Sequence, residues 1–130
     1  MLKNVSPIVS GPLLRALDET PHGAWIAIVS GEHEAATGIR VEAESVEEVV
    51  SAVLAVTALD PDAPIVVEGD SDLSDIAFAV TGLASDAEGH RVDALAVSRL
   101  AFCALLTESR VTVMFDSDLP FGFLLLKGRC

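Results

Sequence analysis

Hydrophobic residues follow two patterns along the chain, one typical of strands and one typical of helices, and segments with the two patterns alternate. Short continuous apolar runs bounded by turn residues predict strands that are covered on both faces of a sheet. Apolar residues three and four positions apart predict helices with one buried face. The predicted strands are Trp25–Val29, Ile39–Ala43, Ile65–Val67, Val92–Val97, Val111–Phe115 and Phe123–Lys127.

Four helices are predicted, the first before the first strand and the others between later strands. The second has the clearest start, because Ser45 and Glu48 form a capping box in which each side chain can bond the other residue's backbone amide. The polar residues 84–91 predict a loop after the third helix. The predicted helix starts are Ser10, Ser45, Ser71 or Asp72, and Ser98, with the fourth helix running to about Glu108. Strands alternating with helices indicate an α/β fold: a single layered domain over residues 1–130, with a largely parallel sheet flanked by helices.

The composition narrows the class of partner. Hydrophobic residues make up 51% of the chain, more than a soluble monomer needs, which indicates a homo-oligomer. A net charge of −12 repels phosphate backbones and anionic lipid, so neither nucleic acid nor a membrane surface is an expected partner. Two cysteines make no disulfide framework, and the first residues show no signal-peptide pattern. We therefore expect a cytoplasmic protein.

A few polar residues lie next to predicted strands, where α/β folds commonly have functional side chains. His22 lies on the turn into the clearest strand, and histidine exchanges protons near neutral pH. The alternative for His22 is that it caps the end of the first helix. Glu68 and Asp70 follow a buried strand, a common place for ligand groups, although Asp70 can equally cap the next helix. His33 lies between two glutamates, but its spacing matches no metal-binding motif, and no metal is predicted.

Read end to end, the chain resembles the D-ribose pyranase / L-fucose mutarotase family, also called RbsD/FucU, and is closer to the fucose branch. The residues that carry the resemblance are Met1-Leu2-Lys3-Asn4-Val5-Ser6-Pro7, Leu13-Leu14, His22-Gly23, Leu59-Asp60, Ala63-Pro64, Val67-Glu68-Gly69-Asp70, Arg99, Ala101-Phe102, Gly122 and Leu124-Leu125-Leu126-Lys127. They cover nearly the whole chain in the family's order. The resemblance implies an RbsD/FucU-like fold and a ring-shaped homo-oligomer, a pentamer or a decamer, with sugar sites near subunit contacts.

The resemblance also implies a chemistry. Members of the family interconvert anomers or ring forms of free monosaccharides such as L-fucose, and this isomerase reaction needs proton transfer but no cofactor. His22 matches the family's catalytic histidine. Arg99 matches a family arginine that can donate to sugar hydroxyls, and Asp70 and Glu68 are further candidate sugar contacts. The alternative for Arg99 is a surface salt bridge.

Two departures from the family pattern keep other functions open. The fucose branch has an aspartate just after the first strand, where this chain has Ser30-Gly31-Glu32. Glu32 can supply that catalytic carboxylate, or it is a solvated loop acid. Phe121 and Phe123 replace a tyrosine and an asparagine, which removes hydrogen-bonding capacity for a sugar. Phe121 can stack on an apolar sugar face, although core packing explains both rings as well.

These departures leave two alternatives to a sugar mutarotase. One is a divergent, non-catalytic relative that binds a small ligand or serves as an assembly module. The other is an enzyme that acts on a less polar substrate, which the two phenylalanines would favour.

Overall fold

The computed structural model describes residues 11–30, 38–43, 45–69, 75–115 and 121–128. Within these residues, helices and strands alternate along the chain. The helices are α1 Gly11–Glu19, α2 Val46–Leu54, α3 Asp75–Glu88 and α4 Arg99–Leu106. The strands are β1 Trp25–Ser30, β2 Gly38–Val41, β3 Ile65–Glu68, β4 Ala94–Val97, β5 Val111–Phe115 and β6 Gly122–Leu126. The predicted α/β fold is confirmed.

The strands form one sheet in the order β2-β5-β1-β6-β3-β4. The pairs β2 with β5, β5 with β1, and β3 with β4 are parallel, whereas β6 runs antiparallel to both of its neighbours. Five strands therefore end at one edge of the sheet, which we call the carboxyl edge, and β6 begins there. At the opposite edge, which we call the amino edge, the five strands begin and β6 ends.

Each face of the sheet is covered by helix, which explains why the strand runs are apolar without alternation. On β1, Ile26 and Ile28 belong to the core that the sheet forms with α1, α2 and α3. Ala27 and Val29 belong to a smaller core on the other face, which includes Phe102 of α4. The helices therefore lie three on one face and one on the other.

The prediction of a loop over residues 84–91 is wrong for its first part, because α3 continues to Glu88. Ser85 favours the helix here, since its hydroxyl donates to the Thr81 carbonyl oxygen at 2.8 Å and accepts from the Val92 amide at 2.9 Å. The helix ends at Gly89, whose φ of 76° is favourable only for glycine and whose amide donates to the Ser85 carbonyl at 3.0 Å.

The other predicted elements are present, and the ends predicted for the strands match or differ by at most two residues. Ser45 caps α2 by accepting from the Glu48 amide at 3.3 Å, and Ser98 caps α4 by accepting from the Ala101 amide at 3.2 Å. The predicted helix starts at Ser10, Ser71 and Asp72 lie outside the described residues. None of the described helices is long and apolar enough to cross a membrane.

Candidate functional site

The predicted site residues divide between the two edges of the sheet. His22 precedes β1 and therefore lies at the amino edge, whereas Glu68 ends β3 and Arg99 begins α4 at the carboxyl edge. Because β1 has six residues, the two edges lie about 20 Å apart. One copy of the chain thus brings Glu68 and Arg99 to the same edge but keeps His22 away from both.

The turn that carries His22 is held at both ends by backbone hydrogen bonds. Before it, the Thr20 amide donates to the Leu17 carbonyl oxygen at 3.3 Å, which closes the last turn of α1. After it, Gly23 has a φ of 87°, and its amide donates to the carbonyl oxygen of Lys127 at 2.8 Å. The His22 side chain itself is exposed. The backbone under the imidazole is therefore fixed while the ring faces solvent.

The carbonyl groups at the end of α1 have other partners than His22. The Thr20 hydroxyl donates to the Ala16 oxygen at 2.6 Å, and the Lys127 ammonium donates to the Leu17 oxygen at 2.6 Å. Lysine near a helix C-terminus also interacts favourably with the helix dipole. Capping of α1, the alternative role for His22, is thus performed by Thr20 and Lys127 among the described residues.

The carboxyl edge carries both an acidic and a basic residue. Glu68 is half-buried, and Gly69 next to it donates its amide to the Val97 carbonyl oxygen at 2.9 Å, which joins the ends of β3 and β4. Arg99 begins α4, just after the end of β4, and is exposed, with no ion-pair partner among the described residues. This edge can therefore present a carboxylate and a guanidinium to a polar ligand.

Phe121 and Phe123 are buried, with exposed fractions of 6% and 1%. Their ring centroids lie 5.8 Å apart, and the Phe121 ring is 6.1 Å from that of Phe115. All three rings belong to the larger core. The described neighbours of these two predicted sugar contacts are core side chains, and a sugar contact for either ring stays a prediction.

The sequence analysis did not predict a role for Ser30, the first residue of the Ser30-Gly31-Glu32 stretch that departs from the fucose-branch pattern. Ser30 is 2% exposed, and its amide and hydroxyl both bond the backbone of Phe121, with the hydroxyl 3.2 Å from the Phe121 nitrogen and 3.2 Å from its oxygen. This hydroxyl joins β1 to the entry of β6. A serine at the end of an apolar strand indicates a buried hydroxyl that needs a hydrogen-bond partner, but the sequence does not predict that Phe121 is this partner.

Two predicted residues, Glu32 and Asp70, lie outside the described residues, as does His33. Among the described residues no three histidine, cysteine, aspartate or glutamate side chains come close enough to hold a metal ion. A separate open cleft of about 330 Å³ lies at the amino edge between the chain entering β3 and the chain entering β4. It contains Asp62, Arg91 and Asp93 but none of the predicted site residues.

The fold and these edges define a class of protein: an α/β domain whose mostly parallel sheet contains one antiparallel central strand. Several solved structures have this fold. FucU from Bifidobacterium longum matches with a TM-score of 0.85 and 23% identity, over 97% of this chain and 98% of that one. A fucose mutarotase from Streptococcus pneumoniae in complex with L-fucose matches with a TM-score of 0.83 and 20% identity, over 99% of each chain.

RbsD from Bacillus subtilis, complexed with D-ribose, matches with a TM-score of 0.79 and 14% identity, over 100% of this chain and 99% of that one. The chain therefore has the RbsD/FucU fold, nearer to the fucose mutarotases than to RbsD, as the sequence resemblance predicted. No model of a protein family matches the chain, and no sequence among curated proteins does.

Proposed function

We propose that this chain is a member of the RbsD/FucU family that interconverts the anomers of a free monosaccharide such as L-fucose, with His22 as its acid/base residue. The observation that carries the proposal is an exposed histidine on a turn fixed at both ends, in a fold shared with a fucose mutarotase that was solved with L-fucose. The anomers of a neutral sugar also suit a protein of net charge −12.

The reaction needs two proton transfers. One group takes the proton of the anomeric hydroxyl while another protonates the ring oxygen, and the bond between C1 and that oxygen breaks to give the open-chain aldehyde. Rotation about the C1–C2 bond and reclosure give the other anomer. An exposed imidazole can serve as either group, because histidine accepts and donates protons near neutral pH. Glu32 is the carboxylate that we propose for the second proton transfer.

A sugar that contacts both His22 and the carboxyl edge needs two copies of the chain, since the edges of one copy are about 20 Å apart. Arg99 and Glu68, with Asp70, are the proposed sugar contacts at that edge. A ring in which the amino edge of one copy meets the carboxyl edge of the next would complete every site in the same way. Exposed apolar side chains at Phe78, Leu95 and Leu100 support self-association.

The cytoplasm is the compartment we propose for this activity. Cys103 is an exposed free thiol, which suits a reducing environment.

A second candidate is a relative that binds a small ligand without catalysis. It is favoured by the burial of Phe121 and Phe123, because these positions offer a sugar no side-chain hydrogen bond. Each polar partner lost from a buried sugar site costs about 1 to 3 kcal/mol.

Saturation-transfer NMR of anomeric exchange distinguishes the two candidates. L-Fucose, D-ribose and D-galactose are measured with the wild-type protein, with His22→Ala, and with His90→Ala as the matched control. His90 is also exposed, and its Nδ1 lies 3.1 Å from the Arg91 carbonyl oxygen, on the loop that follows α3. We expect exchange of one sugar to be accelerated by the wild type and by His90→Ala, and the catalysed rate to fall by about 10² to 10⁴ in His22→Ala.

No acceleration of any of these sugars by the folded wild type would overturn the mutarotase proposal. Saturation-transfer difference signals from a bound sugar in that case would support the binding module.

A further inference from the structure

Lys127 is an almost buried lysine at the amino edge of the sheet. Its side chain and backbone are 8% exposed, and its ammonium donates to the Leu17 carbonyl oxygen at 2.6 Å. Buried lysines are usually paired with a carboxylate. Here the partner that the described residues provide is a backbone carbonyl at the end of α1, where the helix dipole favours a positive charge.

The backbone of the same residue holds the other side of the histidine turn. The Lys127 carbonyl accepts from the Gly23 amide at 2.8 Å, and the Lys127 amide donates to the Ala24 carbonyl at 3.0 Å. The residue is thus bonded to the chain both before His22, at Leu17, and immediately after it. Only the bond to Leu17 depends on the lysine side chain, because the other two are backbone bonds that any non-proline residue can make.

Backbone hydrogen bonds on either side of Lys127 hold this residue in place. Leu59 forms a β-bridge with Lys127, and the amides of Asp60 and Gly128 donate to the carbonyl oxygens of Leu126 and Ala58, each at 2.9 Å. The end of β6 is therefore bonded on both sides. A side chain anchored on this strand can hold the end of α1 at a fixed distance from the turn.

We propose that Lys127 is a positioning residue for His22: its ammonium fixes the end of α1 relative to β6, and thereby the orientation in which the turn presents the imidazole. This inference rests on the acid/base role proposed for His22. A misplacement of about 1 Å at a reacting group can lower a rate by about 100-fold. The contribution of Lys127 should therefore appear in turnover rather than in sugar binding.

The test compares Lys127→Met, which keeps the length and apolar stem but removes the ammonium, with Lys127→Arg, which keeps the charge and a donor. Lys127→Gln, neutral and shorter, replaces the methionine variant if that variant does not fold. Val53→Ala is the control for a general loss of stability, because Val53 is fully buried in α2 and its side chain makes no hydrogen bond to Lys127 or to the turn. Hydrogen exchange at the Gly23 and Ile28 amides is measured by NMR, together with kcat and KM for anomeric exchange.

In Lys127→Met we expect the Gly23 amide to exchange about 10-fold faster relative to the Ile28 amide, kcat to fall by about 10- to 100-fold, and KM to stay within about twofold. Lys127→Arg should restore most of kcat, and Val53→Ala should change neither ratio. Unchanged Gly23 protection in Lys127→Met, or losses no larger than those of Val53→Ala, would overturn the inference. If the wild type catalyses no sugar exchange, the proposed function fails, whereas the Gly23 amide still reports whether Lys127 holds the turn.

Discussion

The substitution Gly122→Ala tests how α4 is held against the carboxyl edge. Gly122 begins β6, and the ring of Phe102, which is fully buried, lies directly over it. A Cβ at position 122 would lie 2.7 Å from Cζ and 2.8 Å from Cε1 of that ring, and 3.4 Å from Cβ of Glu68. Ordinary carbon contacts are about 3.5 to 4.0 Å, so the ring must move by roughly 1 Å in a close-packed core.

Overpacking of this kind costs about 1 to 3 kcal/mol of unfolding free energy. For a domain of this size that loss lowers Tm by about 3 to 10 °C. The assay is urea unfolding followed by circular dichroism, at one fixed protein concentration because self-association would change the apparent stability. Phe102→Leu supplies the second arm, since it makes room where the new methyl group would lie.

The double variant should lose less stability than the sum of the two single variants, by about 0.5 to 3 kcal/mol, because the two side chains compete for one space. Full stability of Gly122→Ala, or additive losses in the double variant, would refute the contact as described. Since Arg99 begins the helix that Phe102 anchors, the same substitution should also weaken the sugar binding that we propose for this edge.

Substitutions at three further features, the cap of α2, the glycines of α3 and the Ser30 junction, have predicted outcomes in the same unfolding assay. Ser45→Ala should cost about 0.5 to 2 kcal/mol by removing the cap of α2, whereas Ser51→Ala inside that helix should not; equal losses would contradict the cap. Gly82→Ala, in open space within α3, should raise the free energy of unfolding by about 0.5 to 1 kcal/mol. Gly89→Ala should lower it by about 1 to 2 kcal/mol because of its positive φ, and changes of the same sign in both variants would contradict this reasoning. Ser30→Ala should cost about 1 to 3 kcal/mol, because the Phe121 amide loses the hydroxyl that accepts from it while the Phe121 carbonyl keeps its bond from the Ser30 amide; an unchanged stability would argue against that hydroxyl as a junction.

Local chemistry explains which parts of the fold could be predicted from the sequence. The caps at Ser45 and Ser98 involve residues three positions apart, so the pattern alone contains both partners. The end of α3 differs from the predicted loop because small and polar residues continue the helix there: Ala84 is buried, and the helix stops only before Gly89. The polarity of these residues describes the exposed face of the helix rather than its end.

Long-range geometry explains what could not be predicted. An apolar run such as residues 122–126 does not encode its direction, so the antiparallel placement of β6 between β1 and β3 needed the structure. The same is true of the separation between His22 and the carboxyl edge, which follows from strand direction. The sequence does not distinguish Lys127 from any charged residue at a strand end, because its partner is 110 positions away and is a backbone carbonyl, that of Leu17, which any residue could supply.

The most direct test of the central claim, that His22 of one copy acts with the carboxyl edge of another, is a mixing experiment on anomeric exchange. His22→Ala and Arg99→Ala are first shown to be inactive alone, then dissociated together, reassembled in equal amounts and assayed with the sugar that the wild type accepts. In a ring with random mixing, about one site in four combines an intact His22 with an intact Arg99 from the neighbouring copy, and activity should return to about a quarter of the wild-type value. A reassembled mixture that stays as inactive as its two components would contradict a site shared between copies.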